Sequence, residues 1–339
     1  MQKLKIGIIG CGKQAPKHIS GLRKIPGVEL VLADINPALA EALGTKEKVA
    51  WTSQVDEIFA DREIQGIDIC TPTHTHFDLI QRAVQTGKDF FCEKPLCSTL
   101  EEAEAIKKLV DSSGCIAMVG YIYRFTPAFE LAQRIFEDVP EAGESMVLGK
   151  IFSAYLRLGG RGGHQVWKHR KETGGGASNE MLAHMMDLAL WFFGPPVQAE
   201  MVASELLRPV RSIQGKEEAV DAEDFVVARL RMQSGVDVWC QADLITPAFT
   251  QFIEVQGEHG TFMASIQKEM PSFIFCTRDV LGYPAGRTTF EFGYHNLFEA
   301  QMAEFARAIR YRRQPRRCTI EDSMLLMEVF EKLNHRKAE

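Results

Sequence analysis

The stretch Leu4-Lys5-Ile6-Gly7-Ile8-Ile9-Gly10-Cys11-Gly12-Lys13-Gln14-Ala15 decides the fold. Residues 4–9 are apolar almost without a break, the pattern of a strand buried on both faces of a parallel sheet. The run ends in G-x-G-x-x-A. Gly10 permits a tight turn, Gly12 allows backbone to approach a pyrophosphate, and Ala15 lets a helix lie close against the strand. A helix starting near Lys13 and Gln14 offers free amides and a positive dipole end to phosphates. Alone, G-x-G-x-x-A is a weak signal. Here it follows a strand, opens a helix and precedes Asp34, which ends a second apolar run over 28–33. A carboxylate about 20 residues past the glycines holds ribose hydroxyls. The segment therefore reads as a dinucleotide site. Asp34 repels a 2′-phosphate and no Arg follows in Ile35-Asn36-Pro37, so NAD is favoured over NADP.

Outward from this segment, short apolar runs alternate with helical patterns through residue 119. Strands are expected at 67–70, 89–92 and 116–119, and helices at 14–25, 37–43, 76–86 and 100–113. That rhythm is βαβ, and it implies a doubly wound parallel sheet. Beyond 122 the reading changes. A strand at 150–158 and a helix at 179–193 are followed by strands near 199–206, 225–232, 236–242, 252–256, 261–266 and 273–277. Turns such as Gln233-Ser234-Gly235 and Glu258-His259-Gly260 join several of them, as in antiparallel hairpins. Closing helices are expected at 296–310 and 321–333. The fold class is α/β. A dinucleotide domain over 1–121 precedes an α/β domain over 122–339 with a large, mostly antiparallel, open-faced sheet. The last helices are placed to return to the first domain.

Composition narrows the function. The chain has 339 residues and a net charge of −6, which argues against a nucleic-acid partner. Its one basic cluster, Arg310, Arg312, Arg313, Arg316 and Arg317, ends a helix and reads as a solvated face that complements the dipole. The eight Cys are scattered with no C-x-x-C pair, so they read as small buried hydrophobes in a reducing compartment, with no metal site. The N-terminus passes directly into a strand and no long apolar run is present, so neither a signal peptide nor a membrane span is expected. A cytoplasmic enzyme is the reading.

Two further constellations carry chemistry. Lys94 follows the strand at 89–92, and ligands of open α/β sheets bind beyond the carboxyl ends of strands. A Lys there can donate to a substrate oxygen. Glu180, His184 and Asp187 share a helix after Gly174-Gly175-Gly176. At i and i+4, Glu180 and His184 lie one turn apart on one face, and a carboxylate beside a His raises its basicity, as suits a general base.

With these segments in order, the chain resembles the glucose–fructose oxidoreductase / inositol dehydrogenase (Gfo/Idh/MocA) family. Residues 7–12, Thr71-Pro72 with His76, Glu93-Lys94-Pro95, and 174–176 with Glu180, His184 and Asp187 carry the resemblance. It implies a Rossmann domain, and a second domain whose exposed sheet face forms a homodimer or homotetramer contact. It implies hydride transfer between nicotinamide and a hydroxyl-bearing carbon of a sugar, cyclic polyol or nucleotide sugar bound between the domains. By resemblance Lys94 is the catalytic lysine, Glu93 contacts the nicotinamide ribose, and Thr71, Pro72 and His76 line the cofactor. His184 is the base and Glu180 its acidic partner, where the family usually has Asp. Tyr123 and Arg124 match a family segment at the domain junction, and with Trp167, Arg170 and Asn179 they are candidate substrate contacts. Arg124 also reads as structural, and Ser178 with Asn179 as helix caps. The Gly-rich basic stretch 159–170 suits either an anionic group or a cover for the cleft. Two other functions share the same cofactor site: an NAD-dependent glycosidase or epimerase that oxidises its sugar only transiently, and a non-enzymatic dinucleotide-binding protein.

Overall fold

The computed structural model describes residues 3–161 and 165–335. Its contacts divide the chain into two units, residues 1–125 with 296–324, and residues 126–295 with 325–339. The sequence expectation placed the division at 121/122, with the last helices packing back on the first domain as its alternative; residues 296–324 group with the first unit and 325–339 with the second.

In the first unit, strands β1 (Leu4–Ile9), β2 (Val28–Ala33), β3 (Ala50–Thr52), β4 (Ile64–Ile69), β5 (Asp89–Cys92) and β6 (Ala117–Val119) form one sheet. Every pairing is parallel and the order is 3-2-1-4-5-6. The order reverses at β1, where ligands of open parallel sheets bind. The connecting helices are α1 (Ala15–Leu22), α2 (Pro37–Glu47), α3 (Val55–Ala60), α4 (His76–Gln85) and α5 (Leu100–Ser113). Ile6, Ile8, Ile67, Ile69, Phe90 and Phe91 are fully buried, as strands covered on both faces must be. Thr99 caps α5 by accepting the Glu102 amide, and Gly114 ends that helix in the left-handed region.

The second unit is built on a large mixed sheet. After helices α6 (Pro127–Ile135) and α7 (Val139–Ala142) come β7 (Glu144–Ser145), β8 (Gly149–Gly159), helix α8 (Ala183–Phe193) and β9 (Pro196–Glu205). The remaining strands are β10 (Val210–Ile213), β11 (Lys216–Ala219), β12 (Phe225–Met232), β13 (Asp237–Asp243), β14 (Thr250–Gly257), β15 (Gly260–Ala264), β16 (Ser272–Cys276) and β17 (Gly286–Phe290). The sheet order is 17-16-15-14-8-13-12-9, with β7 paired to β8, while β10 and β11 form a separate ribbon. All its pairs are antiparallel except β8 with β13. Ala154, Leu156, Leu158, Val238, Cys240 and Ala242 bury one face. The alternate residues Tyr155, Trp239 and Phe252 are half-exposed on the other. Helices α9 (Leu297–Tyr311) and α10 (Ile320–His335) close the chain. Helix α9 packs on α1, so tightly that a Cβ on Gly21 would sit 2.6 Å from the Phe298 carbonyl oxygen.

All eight Cys are free. The basic cluster at 310–317 departs from a purely solvated face: Arg310 donates to the Pro26 carbonyl, Arg312 to Asp89 and Arg317 to the Arg124 carbonyl.

Candidate active site

The turn after β1 is held from two sides. Gly10 has φ +97°, and a Cβ there would lie 2.9 Å from the Cys70 carbonyl, so only glycine fits. Asp34 fastens the next residue. Its Oδ2 accepts the Cys11 amide at 2.7 Å and its Oδ1 accepts the Asn36 amide at 2.8 Å. Burial, with Asp34 nearby, pushes the Cys11 thiol up to about 12. Gly12 and Lys13 are exposed. A Cβ on Gly12 would meet nothing within 4 Å, so protein packing does not demand its small size. The open space suits a pyrophosphate lying on the backbone. Helix α1 begins at Ala15, one residue later than expected, with Pro16 in its first turn, and Lys13 and Gln14 lead into it. Pro16 brings no amide, and the Lys17 and His18 amides donate to the Gln14 carbonyl at 2.9 and 3.2 Å, so the positive dipole end of the helix is what this turn offers a phosphate. Glycine turn, helix start and carboxylate together fit a dinucleotide.

Thr71 and Pro72 follow β4, and Glu93 and Lys94 follow β5, at the same carboxyl edge of the sheet. Lys94 is half-buried and precedes Pro95 through a cis peptide. His76 is 1% exposed, with Nδ1 2.9 Å from the Pro95 carbonyl oxygen and Nε2 2.9 Å from that of Thr71. The neutral ring donates to one of these carbonyls and its other nitrogen lies close against the second. His76 ties the Thr71 segment to the Lys94 turn instead of facing a cofactor, which corrects its expected place. Burial holds its pKa below the ordinary value.

The sequence reading missed His18. It lies on the buried face of α1, wholly enclosed, with Nδ1 2.9 Å from Asp68 Oδ2 and Nε2 3.0 Å from Glu93 Oε1. Cys70 Sγ is 3.2 Å from the same Nδ1. The second Glu93 oxygen accepts the Lys94 amide at 3.2 Å. The signal available in the sequence was the i, i+3 spacing of Ala15 and His18, which puts His18 on the strand-facing side of the helix.

In the second unit Glu180 sits in a π-turn, Ser178–Leu182, which runs into α8. The i, i+4 argument for Glu180 and His184 assumed regular α geometry, which begins only at Ala183. Single π-turns inside helices concentrate at functional sites. The Glu180 carboxylate is paired with the Lys168 ammonium. Lys168 also lies 5.0 Å from the centre of the Trp167 ring. His184 is half-exposed on a helix whose other members from Leu182 to Leu190 are buried, Asp187 among them at 1%. Asn179 Nδ2 donates to the Gly174 carbonyl at 3.0 Å and braces the glycine loop. Gly176 has φ +112° and faces the Glu223 carboxylate. Trp167 and Arg170 are half-buried in the loop whose Thr173 hydroxyl donates to the Trp167 carbonyl. Of the stretch 159–170, Gly162, Gly163 and His164 lie outside the described residues. Arg161 donates to the Pro247 carbonyl at 2.9 Å.

Arg124 is corrected as a substrate contact. It is 2% exposed, its guanidinium is 2.9 Å from Asp322 Oδ1, and it lies 5.6 Å from the Tyr121 ring centre. Tyr123 is half-buried, and desolvation raises its phenol above the ordinary range.

A six-stranded parallel sheet with a glycine turn at its switch point, Asp34 behind the turn and a Lys at the carboxyl edge defines a dinucleotide-dependent oxidoreductase. Residues 4–121 match the family model described as "Oxidoreductase family, NAD-binding Rossmann fold", and residues 136–263 match the GFO/IDH/MocA C-terminal domain. The chain belongs to the Gfo/Idh/MocA family. It is 27% identical to levoglucosan dehydrogenase of Pseudarthrobacter phenanthrenivorans, over 79% of this chain and 75% of that protein. It is 28% identical to inositol 2-dehydrogenase of Rhizobium meliloti, over 90% of this chain and 88% of that one. Its fold matches levoglucosan dehydrogenase in complex with NADH and levoglucosan, with TM-score 0.87, 22% identity, and coverage of 99% and 98%.

Proposed function

We propose that this oxidoreductase moves a hydride between NAD and a hydroxyl-bearing carbon of a sugar or cyclic polyol. The observation that carries the reading is the shared carboxyl edge: the Asp34-braced glycine turn and the Glu93-Lys94 step both follow strands of one sheet. The names of the relatives, levoglucosan and inositol dehydrogenases, support the substrate class.

Gly10, Gly12, Lys13 and Gln14 receive the pyrophosphate, and the remaining lone pairs of Asp34 take the ribose hydroxyls. Thr71, Pro72 and Glu93 lie along the nicotinamide side. The bound nicotinamide supplies the hydride acceptor. Lys94 donates a hydrogen bond to the reacting oxygen and stabilises charge developing there. His184 removes the hydroxyl proton. Glu180, with Lys168, borders that base, and Tyr123, Trp167, Arg170 and Asn179 are the remaining candidates for substrate hydroxyls. Lys168 is engaged by Glu180 and Arg161 by a backbone carbonyl, which favours a neutral substrate over an anionic one.

NAD is favoured over NADP by the Asp34 charge. No helix among the described residues is long and apolar enough to cross a membrane. We place the enzyme in the cytoplasm on the scattered free Cys. The half-exposed aromatic face of Tyr155, Trp239 and Phe252 supports self-association into a homodimer or homotetramer.

The test is a panel of inositols, anhydrosugars, free sugars and nucleotide sugars, read by the absorbance of reduced nicotinamide with NAD and with NADP. Net reduction of NAD by a polyol or sugar is expected. Tightly held NAD with product formed but no net reduction would replace this reading by the glycosidase or epimerase one. No turnover with any member would favour a non-enzymatic protein.

A further inference from the structure

The chemistry above uses the His18 cluster only through Glu93, and the cluster is costly to bury. Asp68 and His18 are fully enclosed and Glu93 is 8% exposed. Each ring nitrogen of His18 faces a carboxylate oxygen, at 2.9 Å and 3.0 Å. A neutral imidazole donates from one nitrogen only. The other would set its lone pair against a buried anion, a larger penalty than the neutral carbonyls that face His76, so the two carboxylates call for a proton on both nitrogens. Around the ring stand Asp68 and Cys70 from the end of β4, Glu93 from the end of β5, Phe91 edge-on at 5.4 Å, and Phe298 of α9 at 5.7 Å. Burial opposes the ring charge, but Asp68 and Cys70 hold its pKa well above the ordinary histidine value. Burial would raise Glu93, yet the His18 hydrogen bond and charge, with Lys94 beside it, hold it below the usual carboxylate range. His76 also lies within reach of the Glu93 charge and is kept neutral by burial.

Two carboxylates around one imidazolium leave one negative charge in excess. It sits at the end of the row that touches the Lys94 backbone. Gly120 completes the enclosure, since a Cβ there would lie 3.2 Å from the Glu93 carboxyl. We propose that His18 is a positioning residue: clamped between Asp68 and Glu93 as an imidazolium, it keeps the Glu93 carboxylate ionised and fixed against Lys94, so that Lys94 stays a protonated donor. This rests on Lys94 acting as the donor to the reacting oxygen. Without the His18 charge, two buried carboxylates face each other and Glu93 takes a proton. Lys94 then loses its neighbouring anion and gives up its own proton at lower pH.

Two measurements test this, one of them independent of activity. In the wild-type protein labelled with ¹⁵N-histidine, the His18 ring should show the shifts of an imidazolium across the whole neutral range, with and without NADH. A ring that titrates near the ordinary histidine value would overturn the proposal. So would a stoichiometric metal retained by His18, Asp68 and Cys70, whose donor atoms lie within 4.8 Å of one another, because it would replace the ring proton. In kinetics, His18→Gln should move the alkaline limb of the kcat profile down by about one pH unit. Glu93→Gln should move it the same way, and the double variant should move it no further. Additive shifts, or an unmoved limb in a folded His18→Gln enzyme, would overturn the proposal. If His18→Gln does not fold, the ring titration and the Glu93→Gln limb decide. A Lys94→Ala enzyme of near-normal turnover would instead sink the donor role of Lys94, leaving the ring titration to report on the cluster itself.

Discussion

The Asp34 carboxylate accepts the Cys11 amide at 2.7 Å, so the residue placed to hold the ribose also shapes the glycine turn. Removing it acts twice. Asp34→Ala should weaken NADH binding about tenfold to a hundredfold, since a hydrogen bond to a charged group is worth about 1.5–3 kcal/mol. Asp34→Ser removes the charge while keeping an acceptor for Cys11, and should narrow the gap between NADH and NADPH. Titration of nicotinamide fluorescence measures both, and an unchanged NADH dissociation constant in Asp34→Ala would exclude this role.

Lys94→Ala and His184→Ala should each lower kcat by at least about a hundredfold, the usual scale for a lost acid–base or electrostatic group. NADH affinity should stay within a few-fold of wild type. Loss of cofactor binding in parallel with turnover would point to structural roles instead.

Glu180 stands where the family usually has Asp, and its carboxylate is claimed by Lys168. Lys168→Met removes the Lys168 charge from that carboxylate, four residues from His184. An anion no longer offset by Lys168 raises the pKa of a nearby histidine, so the acid limb of kcat/KM should move to higher pH, by less than about one unit. Glu180→Gln should move it to lower pH. Shifts of the same sign in both would show that the pair does not act through charge.

The sequence carried the frame of this molecule because its signals are local. The glycine turn, the apolar runs of β1, β2 and β5 and the capped helix α5 each depend on neighbours within a few residues, and they fall where expected. What escaped depends on distant partners. The parallel pairing of β8 with β13 joins residues far apart in sequence, and hairpin logic cannot produce it. The ribbon β10–β11 lies in a polar stretch with no apolar alternation to mark it. His18 could be placed on a buried face, but nothing local shows that Asp68 and Glu93 close on it from two other strands. The same holds for Lys168 and Glu180, whose pairing depends on how the intervening glycine loop folds back.

His76 offers a pH signature. Burial depresses its pKa in the folded state, while the unfolded chain takes a proton at about 6.5. The unfolded state therefore binds more protons as pH falls, and stability is complete above about pH 6.5 and lost below it. His76→Gln should be less stable at neutral pH yet lose less between about pH 6.5 and 5, by up to about 1.4 kcal/mol per pH unit. Urea midpoints across that window test it. Parallel curves for the two proteins would mean that His76 does not titrate on unfolding.

Arg124 is the residue for which the sequence left two roles open, and its surroundings separate them. The guanidinium is buried against Asp322, and its own carbonyl accepts a hydrogen bond from Arg317. Asp322 sits in the first turn of α10, where its amide donates to Thr319 Oγ1 and its carboxylate accepts the Thr319 amide. The pair thus joins the segment after β6 to the start of the last helix. Breaking a buried ion pair from one side strands the other charge, at a cost of about 3–5 kcal/mol when both partners are buried. Asp322 is 26% exposed at its side chain, so about 2–3 kcal/mol is expected for Arg124→Met or Asp322→Asn. Both variants should melt earlier while KM for the sugar or polyol stays within about twofold. A KM raised tenfold or more by Arg124→Met, with Asp322→Asn unaffected, would return Arg124 to the substrate.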